Sequence, residues 1–452
     1  MIFDVNGASG PLLKIHREIV GSRPIHEGSS ALVGVHRAIF ELFSDGKLVE
    51  TIDCGTDELG LGDGDTPPDD LVVYDVAFPQ HVGDAIRRFL STYPNNAILW
   101  LWLSEPFGYL PVLPYDAMLA KVIPTHPIVR LSCDNVTAAN FKEAQDSVVC
   151  FSCPGTDPSE AVERWLAIIP PAELLKGYRI HVFADPRSRK LLRNRVAAFE
   201  LHEPPSSLAE LIEEESTSAI SPNDVRHPWL AWILETLEHH AVDFVHIVCH
   251  GLLATHQGAL LFAEPVLVSD NRTARPLYAG EVDRFLDRLG AWSFSISSPP
   301  GNPSISGLRY FEEQLAQMRY GPVVLQDLTA DPDGSQLLES LRYYVSKNDI
   351  KPSSSVSRYW NPNRSLAHQS TQIGGVQLEP PISEALKTEP DAAVTMQRVF
   401  ESALARYQRA PEENETQQAI RSGIGDALTF MHKIVTETEN AASRSEPSET
   451  EQ

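Results

Sequence analysis

The sequence predicts an α/β protein built on a mainly parallel β-sheet with helices on both faces. Short apolar runs recur along the chain, and stretches with the apolar spacing of helices separate them. Because the strands of a parallel sheet are covered on both faces, they appear as continuous apolar runs rather than as alternating patterns. The predicted strands of this kind are 97–103, 147–152, 178–183, 244–249, 292–297 and 322–326.

Four helical patterns lie next to these strands. They cover 228–237, 279–289, 305–318 and 337–345. Each places apolar residues three or four positions apart, which is the spacing of one helix face. The alternation of strand and helix predicts an open sheet whose crossover connections are right-handed.

The first 95 residues are predicted to form a hairpin and helix region that packs on the core. Two strands, 38–43 and 47–52, flank the turn signal Ser44-Asp45-Gly46. An acidic, Gly- and Pro-rich loop at 57–70, a short strand at 71–76 and a helix at 81–90 follow. We therefore place the main domain at 96–350.

The last hundred residues differ in composition. Residues 351–390 are rich in Ser, Pro, Asn and Gln, which predicts a linker. Residues 391–440 contain two amphipathic patterns separated at 411–414, and we expect a C-terminal helical hairpin there. The Ser- and Glu-rich end, 441–452, is predicted to be a disordered tail.

Charge and composition exclude several classes of partner. The 61 acidic and 37 basic residues give a net charge of −24, so the chain repels phosphate backbones and we expect no nucleic acid partner. No apolar run is long enough for a transmembrane helix, and the first residues lack the pattern of a secretory signal. We expect a cytoplasmic protein that does not enter a membrane, in keeping with its five sparse cysteines.

Cys150 and Cys153 form a C-x-x-C pattern. A structural zinc site requires a second pair of ligands, and none follows at suitable spacing. A redox role and two buried cysteines at the end of a strand are the alternatives, and the second is the more typical. The sequence therefore implies no metal and no organic cofactor.

Two neighbouring predicted strands end in residues that can carry chemistry. One ends Val248-Cys249-His250-Gly251, and the other ends Ser295-Ile-Ser-Ser298 before two prolines. A histidine just beyond a buried strand can act as a general base, and the N–H of the following glycine can face a developing oxyanion. The nucleophile of such a site would lie at the end of the next strand. The non-functional alternatives are that His250 is an ordinary histidine at the end of a strand and that residues 295–298 are a polar strand end before a turn.

These segments, together with Tyr109-Leu-Pro-Val-Leu-Pro-Tyr-Asp-Ala-Met118 and Gly321-Pro-Val-Val-Leu325, resemble the CHAT domain family over about residues 30–347. This family belongs to the caspase clan of cysteine peptidases and is related to separase. The resemblance implies a caspase-like fold with His250 as general base and oxyanion donors at Gly251 and residue 298. It also implies a protein substrate or a partner subunit, in a bacterial defence or death-signalling system.

The chain departs from the family at the nucleophile. The resemblance places cysteine at position 298, where this sequence has Ser298, with Ser297 as the alternative one residue away. Three interpretations follow: a natural inactive relative, an engineered replacement of the cysteine, and a working serine enzyme. The rival from another class is an interaction scaffold that binds partner proteins through its C-terminal helices. A nucleotide-binding protein is disfavoured, since no glycine-rich phosphate motif follows any predicted strand.

Asp331 and Asp333 follow the last predicted strand of the main domain. They can cap the helix that begins near Leu337, since carboxylates accept the free N–H groups of a first helical turn. The functional alternative is an acidic specificity pocket that binds Lys or Arg of a substrate.

Overall fold

The computed structural model describes residues 10–24, 32–62, 68, 76–105, 107–131, 145–168, 177–193, 199–205, 225–237, 240–264, 273–300, 305–319, 321–346 and 350–360. The chain divides into two compact units, 1–369 and 370–452, and the described residues all belong to the first. The predicted strand at 71–76 falls almost entirely outside the described residues. The predicted helical hairpin, 391–440, and the predicted tail, 441–452, lie wholly outside them.

The described strands alternate with helices along most of the chain. The strands are β1 (Pro11–Pro24), β2 (Leu32–Ser44), β3 (Lys47–Gly55), β4 (Leu99–Leu103), β5 (Ile128–Leu131), β6 (Asp146–Ser152), β7 (Arg179–Ala184), β8 (Glu200–Leu201), β9 (Phe244–Ala254), β10 (Gln257–Ala263), β11 (Ala274–Tyr278), β12 (Ser293–Ser298), β13 (Val323–Asp327) and β14 (Val356–Trp360). The helices are α1 (Gln80–Leu90), α2 (Tyr115–Val122), α3 (Ser159–Ile168), α4 (Pro186–Leu192), α5 (Pro228–Leu237), α6 (Ala279–Leu289), α7 (Ile305–Met318) and α8 (Ser335–Ser346). None of these helices is long and apolar enough to cross a membrane.

The strands form one large, mostly parallel sheet of mixed direction, as the predicted α/β class requires. Its order is β3-β2-β1-β4-β5-β14-β13-β12-β9-β6-β7-β8, and β10 and β11 extend from β9 as antiparallel additions. Neighbours from β13 to β8 are parallel, as are those from β1 to β14. The antiparallel pair β13–β14 joins these two blocks, which therefore run in opposite directions.

Helices cover both faces of the central strands. On one face, α5, α6 and α7 pack against a cluster that contains Cys249 and Ile296. On the other face, α3, α4 and α8 pack against a cluster that contains Val248 and Trp165. Since consecutive strand residues point to opposite faces, the separation of Val248 from Cys249 confirms that β9 is buried on both sides.

The N-terminal hairpin is confirmed, and its strands belong to the main sheet. Strands β2 and β3 meet at Asp45 and Gly46, both with positive φ, which is the geometry of a tight two-residue hairpin turn. Strand β1, which the apolar pattern missed, pairs with β2 on one side and with β4 on the other. Strands β1, β2 and β3 therefore extend the main sheet, and helix α1 packs against them.

The predicted linker starts too early. Residues 356–360 form β14, which lies between β5 and β13 in the middle of the sheet, and each of its residues is buried. Polar composition predicts a loop at 351–390, but Ser357 donates a hydrogen bond to Glu312 at 2.5 Å and Tyr359 donates one to Glu313 at 2.5 Å. These buried carboxylates on α7 satisfy the polar groups that would otherwise keep the segment in water.

Candidate functional site at the carboxyl ends of the central strands

The order of the central strands places a topological switch point between β6 and β9. The chain passes from β6 to β7 on one side, whereas the parallel neighbour on its other side is β9. Connections that leave two adjacent parallel strands in opposite directions open a space beyond the carboxyl ends of those strands. In doubly wound sheets this switch point is the usual location of a ligand site.

His250 lies at this switch point. Its Nε2 is 2.7 Å from Oγ1 of Thr156, which belongs to the loop that follows β6. The backbone carbonyl of the same threonine accepts a hydrogen bond from Arg187 at 3.4 Å, at the start of α4. His250 is 7% exposed, so its ring is held against the sheet with little access from solvent. Sequence reasoning missed Thr156, although the turn Pro154-Gly155 directly after a predicted strand marks its position.

The register of β9 and β12 separates the two candidate serines. Ser297 pairs with Val248, and side chains alternate between the faces along each strand. Ser297 therefore shares the face of Val248 and His250, whereas Ser298 shares the face of Cys249. The structure brings His250 and Ser297 to the same side of the sheet, and it directs Ser298 to the opposite side.

The hydroxyl of Ser297 belongs to a buried polar network. It donates a hydrogen bond to Oε1 of Gln326 at 2.6 Å and lies 3.2 Å from Nε2 of His246. On the other side of the same ring, Nδ1 of His246 is 2.8 Å from the hydroxyl of Ser295. Because the proton of Ser297 is directed to Gln326, its oxygen is the acceptor for the N–H of His246, and Nδ1 accepts from Ser295.

Complete burial keeps His246 neutral, since it lowers the pKa of the imidazole to about 4. In the unfolded chain the ring titrates near 6.5, so the unfolded state takes up a proton between pH 6.5 and 4 while the folded state does not. Stability is therefore lost as the pH falls through this window.

Between pH 7 and pH 5, the free energy of unfolding falls in the original protein partly because His246 is kept neutral. We expect this fall to be about 2 kcal/mol smaller in His246→Gln. Urea unfolding at the two pH values measures the difference. His240→Gln is the matched control, because it removes a histidine that lies at the exposed surface. Equal pH slopes for all three proteins would contradict the assignment of a neutral, buried His246.

The hydrogen-bond network of Ser297 and Gln326 continues to Asp331, which caps helix α8. Its carboxylate accepts hydrogen bonds from Nε2 of Gln326 at 2.8 Å and from the backbone N–H groups of Gln336 and Leu337 in the first turn of α8. Burial raises the pKa of this carboxyl. Asp333 is exposed and accepts a hydrogen bond from the N–H of Ser335 at 3.1 Å. Of the two alternatives for these aspartates, capping matches their observed contacts.

The space beside Ser297 is small. A cavity of about 10 Å³ lies against Ser297, His246 and Gln326, and Trp165 and Leu337 close it. Such a volume holds about one water molecule. A second, open cavity of about 590 Å³ lies elsewhere, between the loop after β4, the β9–β10 turn and α7. It is lined by Arg17, Glu105, Phe107, Gly108, His256 and Tyr310, none of which the sequence analysis selected.

Gly251 lies inside β9 and does not follow its end. The predicted strand stops at residue 249, but β9 continues to Ala254 and pairs with β10, where Leu260 faces Gly251. β9 extends this far because residues 251–254 pair with residues 257–260 of β10 across a tight turn.

The described cysteines are poor nucleophiles. Cys150 lies in β6 and Cys153 directly follows it, and both are buried, as is Cys249. Burial raises the pKa of all three thiols, so they are protonated at neutral pH and lack the thiolate that attacks carbonyls and binds metals. The observed positions match the interpretation of Cys150 and Cys153 as inward-facing residues at a strand end.

The geometry thus combines a histidine at a switch point with serines that are buried in the sheet. Ser297 is 0% exposed and Ser298 is 2% exposed, so neither hydroxyl reaches solvent. No protein-family model, curated protein or solved structure matches this chain. The functional conclusion therefore depends on the arrangement of its own residues.

Proposed function

We propose that this chain is a caspase-like, CHAT-type protein that has lost peptidase activity and acts by binding a partner protein. The proposal depends on where the two candidate nucleophiles lie and on how deeply they are buried. Ser298 lies on the face opposite His250, and Ser297, on the same face, is fully buried. A nucleophile needs both a base within hydrogen-bonding reach and access to the scissile carbonyl.

The contacts of Ser297 also oppose catalysis. Its proton is directed to the amide oxygen of Gln326 and not to a basic nitrogen. Its neighbouring ring, His246, is sealed in the core together with it, and the adjoining cavity holds about one water molecule. A peptide group cannot enter such a space without displacement of the residues that line it.

The open cavity near α7 is our candidate for the partner's contact surface. Phe107 and Tyr310 supply apolar walls, and Arg17, Glu105 and His256 supply charge and hydrogen-bonding groups at the rim. Aromatic walls with a few polar groups are typical of sites that bind peptide segments or small molecules. The net charge of −24 would attract a basic partner by long-range steering. The resemblance to CHAT proteins favours a partner in a bacterial defence or death-signalling system, in the cytoplasm.

A second candidate function, a peptidase, is favoured by one observation. His250 lies beside Thr156 at the switch point, where a doubly wound sheet positions reactive groups. In this case a conformational change would have to bring the nucleophile to the face of His250 and open the site to substrate. The protein substrate would then be the partner.

We expect no peptide cleavage from the protein as it stands, nor from Ser297→Cys or Ser298→Cys. Each protein is incubated with fluorogenic peptides ending in Lys, Arg and Asp and with the proteins encoded by neighbouring genes. A neighbour that remains intact and co-elutes with the chain supports the binding function. Ser293→Cys is the matched control, since it adds a thiol at the opposite end of β12.

Cleavage by either nucleophile variant that disappears when His250→Ala is added would overturn the proposal in favour of the peptidase. The position of the active variant would also identify which of the two serines replaces the nucleophile.

A further inference from the structure

The last strand pairing of the sheet brings together two histidines and a glutamate. His181 lies in β7, Glu200 faces it in the register of β8, and His202 follows β8. His181 is buried, His202 is half-buried, and Glu200 is exposed at the sheet edge. The sequence gives no sign of this cluster, because about twenty residues separate His181 from the other two.

The nitrogen and oxygen atoms of this cluster have the spacing of a metal site. Nδ1 of His181 is 3.0 Å from Nε2 of His202 and 3.5 Å from Oε2 of Glu200. One potential ligand atom from each of the three residues lies within 4.8 Å of the others. Tetrahedral zinc, with ligands at about 2.0–2.2 Å, places neighbouring ligand atoms about 3.3 Å apart. The observed separations bracket this value.

Surrounding groups hold both rings in orientations that suit a metal. Oδ1 of Asp146 is 3.6 Å from Nε2 of His181, on the side of the ring away from the cluster. Arg179 donates to both oxygens of that carboxylate, at 2.7 and 2.8 Å, and so fixes it in place. A carboxylate near the second ring nitrogen is a common arrangement for a metal-bound histidine.

His202 is positioned independently of any ion. Its ring stacks on that of Phe183 with centroids 4.7 Å apart, and its backbone N–H donates to the carbonyl of Val182 at 3.0 Å.

We propose that His181, Glu200 and His202 bind a divalent transition-metal ion of the zinc type. Imidazole and carboxylate are the ligands that suit Zn²⁺, and three protein ligands leave a fourth position for water at the exposed edge. The ion would also join the two-residue strand β8 to β7. This inference does not depend on the proposed loss of peptidase activity. The alternative for the same geometry is a direct hydrogen bond between two neutral imidazoles.

Metal titration of the full-length chain tests the site. The protein is stripped with a chelator and titrated with Zn²⁺ by calorimetry and with Co²⁺ by absorption, which distinguishes tetrahedral coordination. We expect a single equivalent to bind with micromolar or tighter affinity. We also expect Zn²⁺ to slow hydrogen exchange at residues 199–205, because binding stabilises the folded edge.

Variants show whether these residues hold the ion. His202→Ala should weaken binding by about 100-fold, and Glu200→Gln, an exposed change that leaves the fold intact, by about 10-fold or more. His240→Ala is the matched control, since His240 is exposed on another part of the surface. The proposal is overturned by the absence of stoichiometric binding, or by binding that both Glu200→Gln and His202→Ala leave unchanged.

Discussion

Replacement of Asp116 by alanine is expected to lower the free energy of unfolding by about 3–5 kcal/mol. Asp116 binds the guanidinium of Arg130 at 2.5 Å, and both residues are buried. Arg130 also donates to the hydroxyl of Tyr359 at 2.9 Å, and that hydroxyl donates to Glu313. Without Asp116, the buried cation loses the carboxylate in direct contact with it, and desolvation of the charge is no longer offset.

Urea unfolding followed by tryptophan fluorescence measures this loss. Asp84→Ala is the matched control, because the ion pair of Asp84 with Arg87 is exposed and should contribute less than about 1 kcal/mol. In the double variant Asp116→Ala/Arg130→Met, the unpaired charge is gone, so we expect part of the stability to return. If Asp116→Ala cost no more than Asp84→Ala, the buried network would not have the importance we assign to it.

Replacement of Gly307 or Gly258 by alanine is expected to destabilise the protein by about 3 kcal/mol or more, at the upper end of the cost of overpacking. These glycines allow α7 to lie against the β9–β10 hairpin. A Cβ atom at Gly307 would lie 2.4 Å from the carbonyl carbon of Leu252, and one at Gly258 would lie 2.2 Å from the backbone nitrogen of Phe311. Since backbone atoms cannot rotate away as side chains do, the helix and the hairpin would have to separate.

Thermal and urea unfolding of the two variants measure the effect. Gly280→Ala in α6 is the matched control, because the nearest atom to its added Cβ is 3.8 Å away. Alanine is the better helix former, so this variant should gain about 0.5 kcal/mol. Losses at Gly307 and Gly258 no larger than the change at Gly280 would show that the close approach of α7 is not required.

The strands that could be predicted from the sequence are those whose apolar residues match a buried position in the fold. β6, β9 and β12 are short apolar runs because helices cover both of their faces. β5 and β14 were missed because they carry the buried arginines Arg130 and Arg358, which local reasoning assigns to the surface. In the folded chain Asp116 pairs with the guanidinium of Arg130, a contact that the local pattern of β5 does not reveal.

The sequence predicted that His250 and the candidate serines lie at the same edge of the sheet, but it could not assign either serine to a face. His250 and the strand end at residues 295–298 do lie on neighbouring parallel strands. The choice between Ser297 and Ser298 depends on register, and a shift of one residue exchanges the two faces of a strand. An apolar run that is buried on both sides gives no alternation from which this register could be read.

The α/β class, the main strands of the central block and the strand that carries His250 could all be predicted from the sequence. These features depend on the local pattern of apolar residues, which can be read from a short segment of the chain. Three features emerge only in the folded chain: Ser298 and His250 lie on opposite faces, β14 lies within the sheet, and His181 lies close to Glu200 and His202. Each of these outcomes depends on pairing between segments that are distant in the chain, and pairing energy belongs to two strands together rather than to either sequence alone.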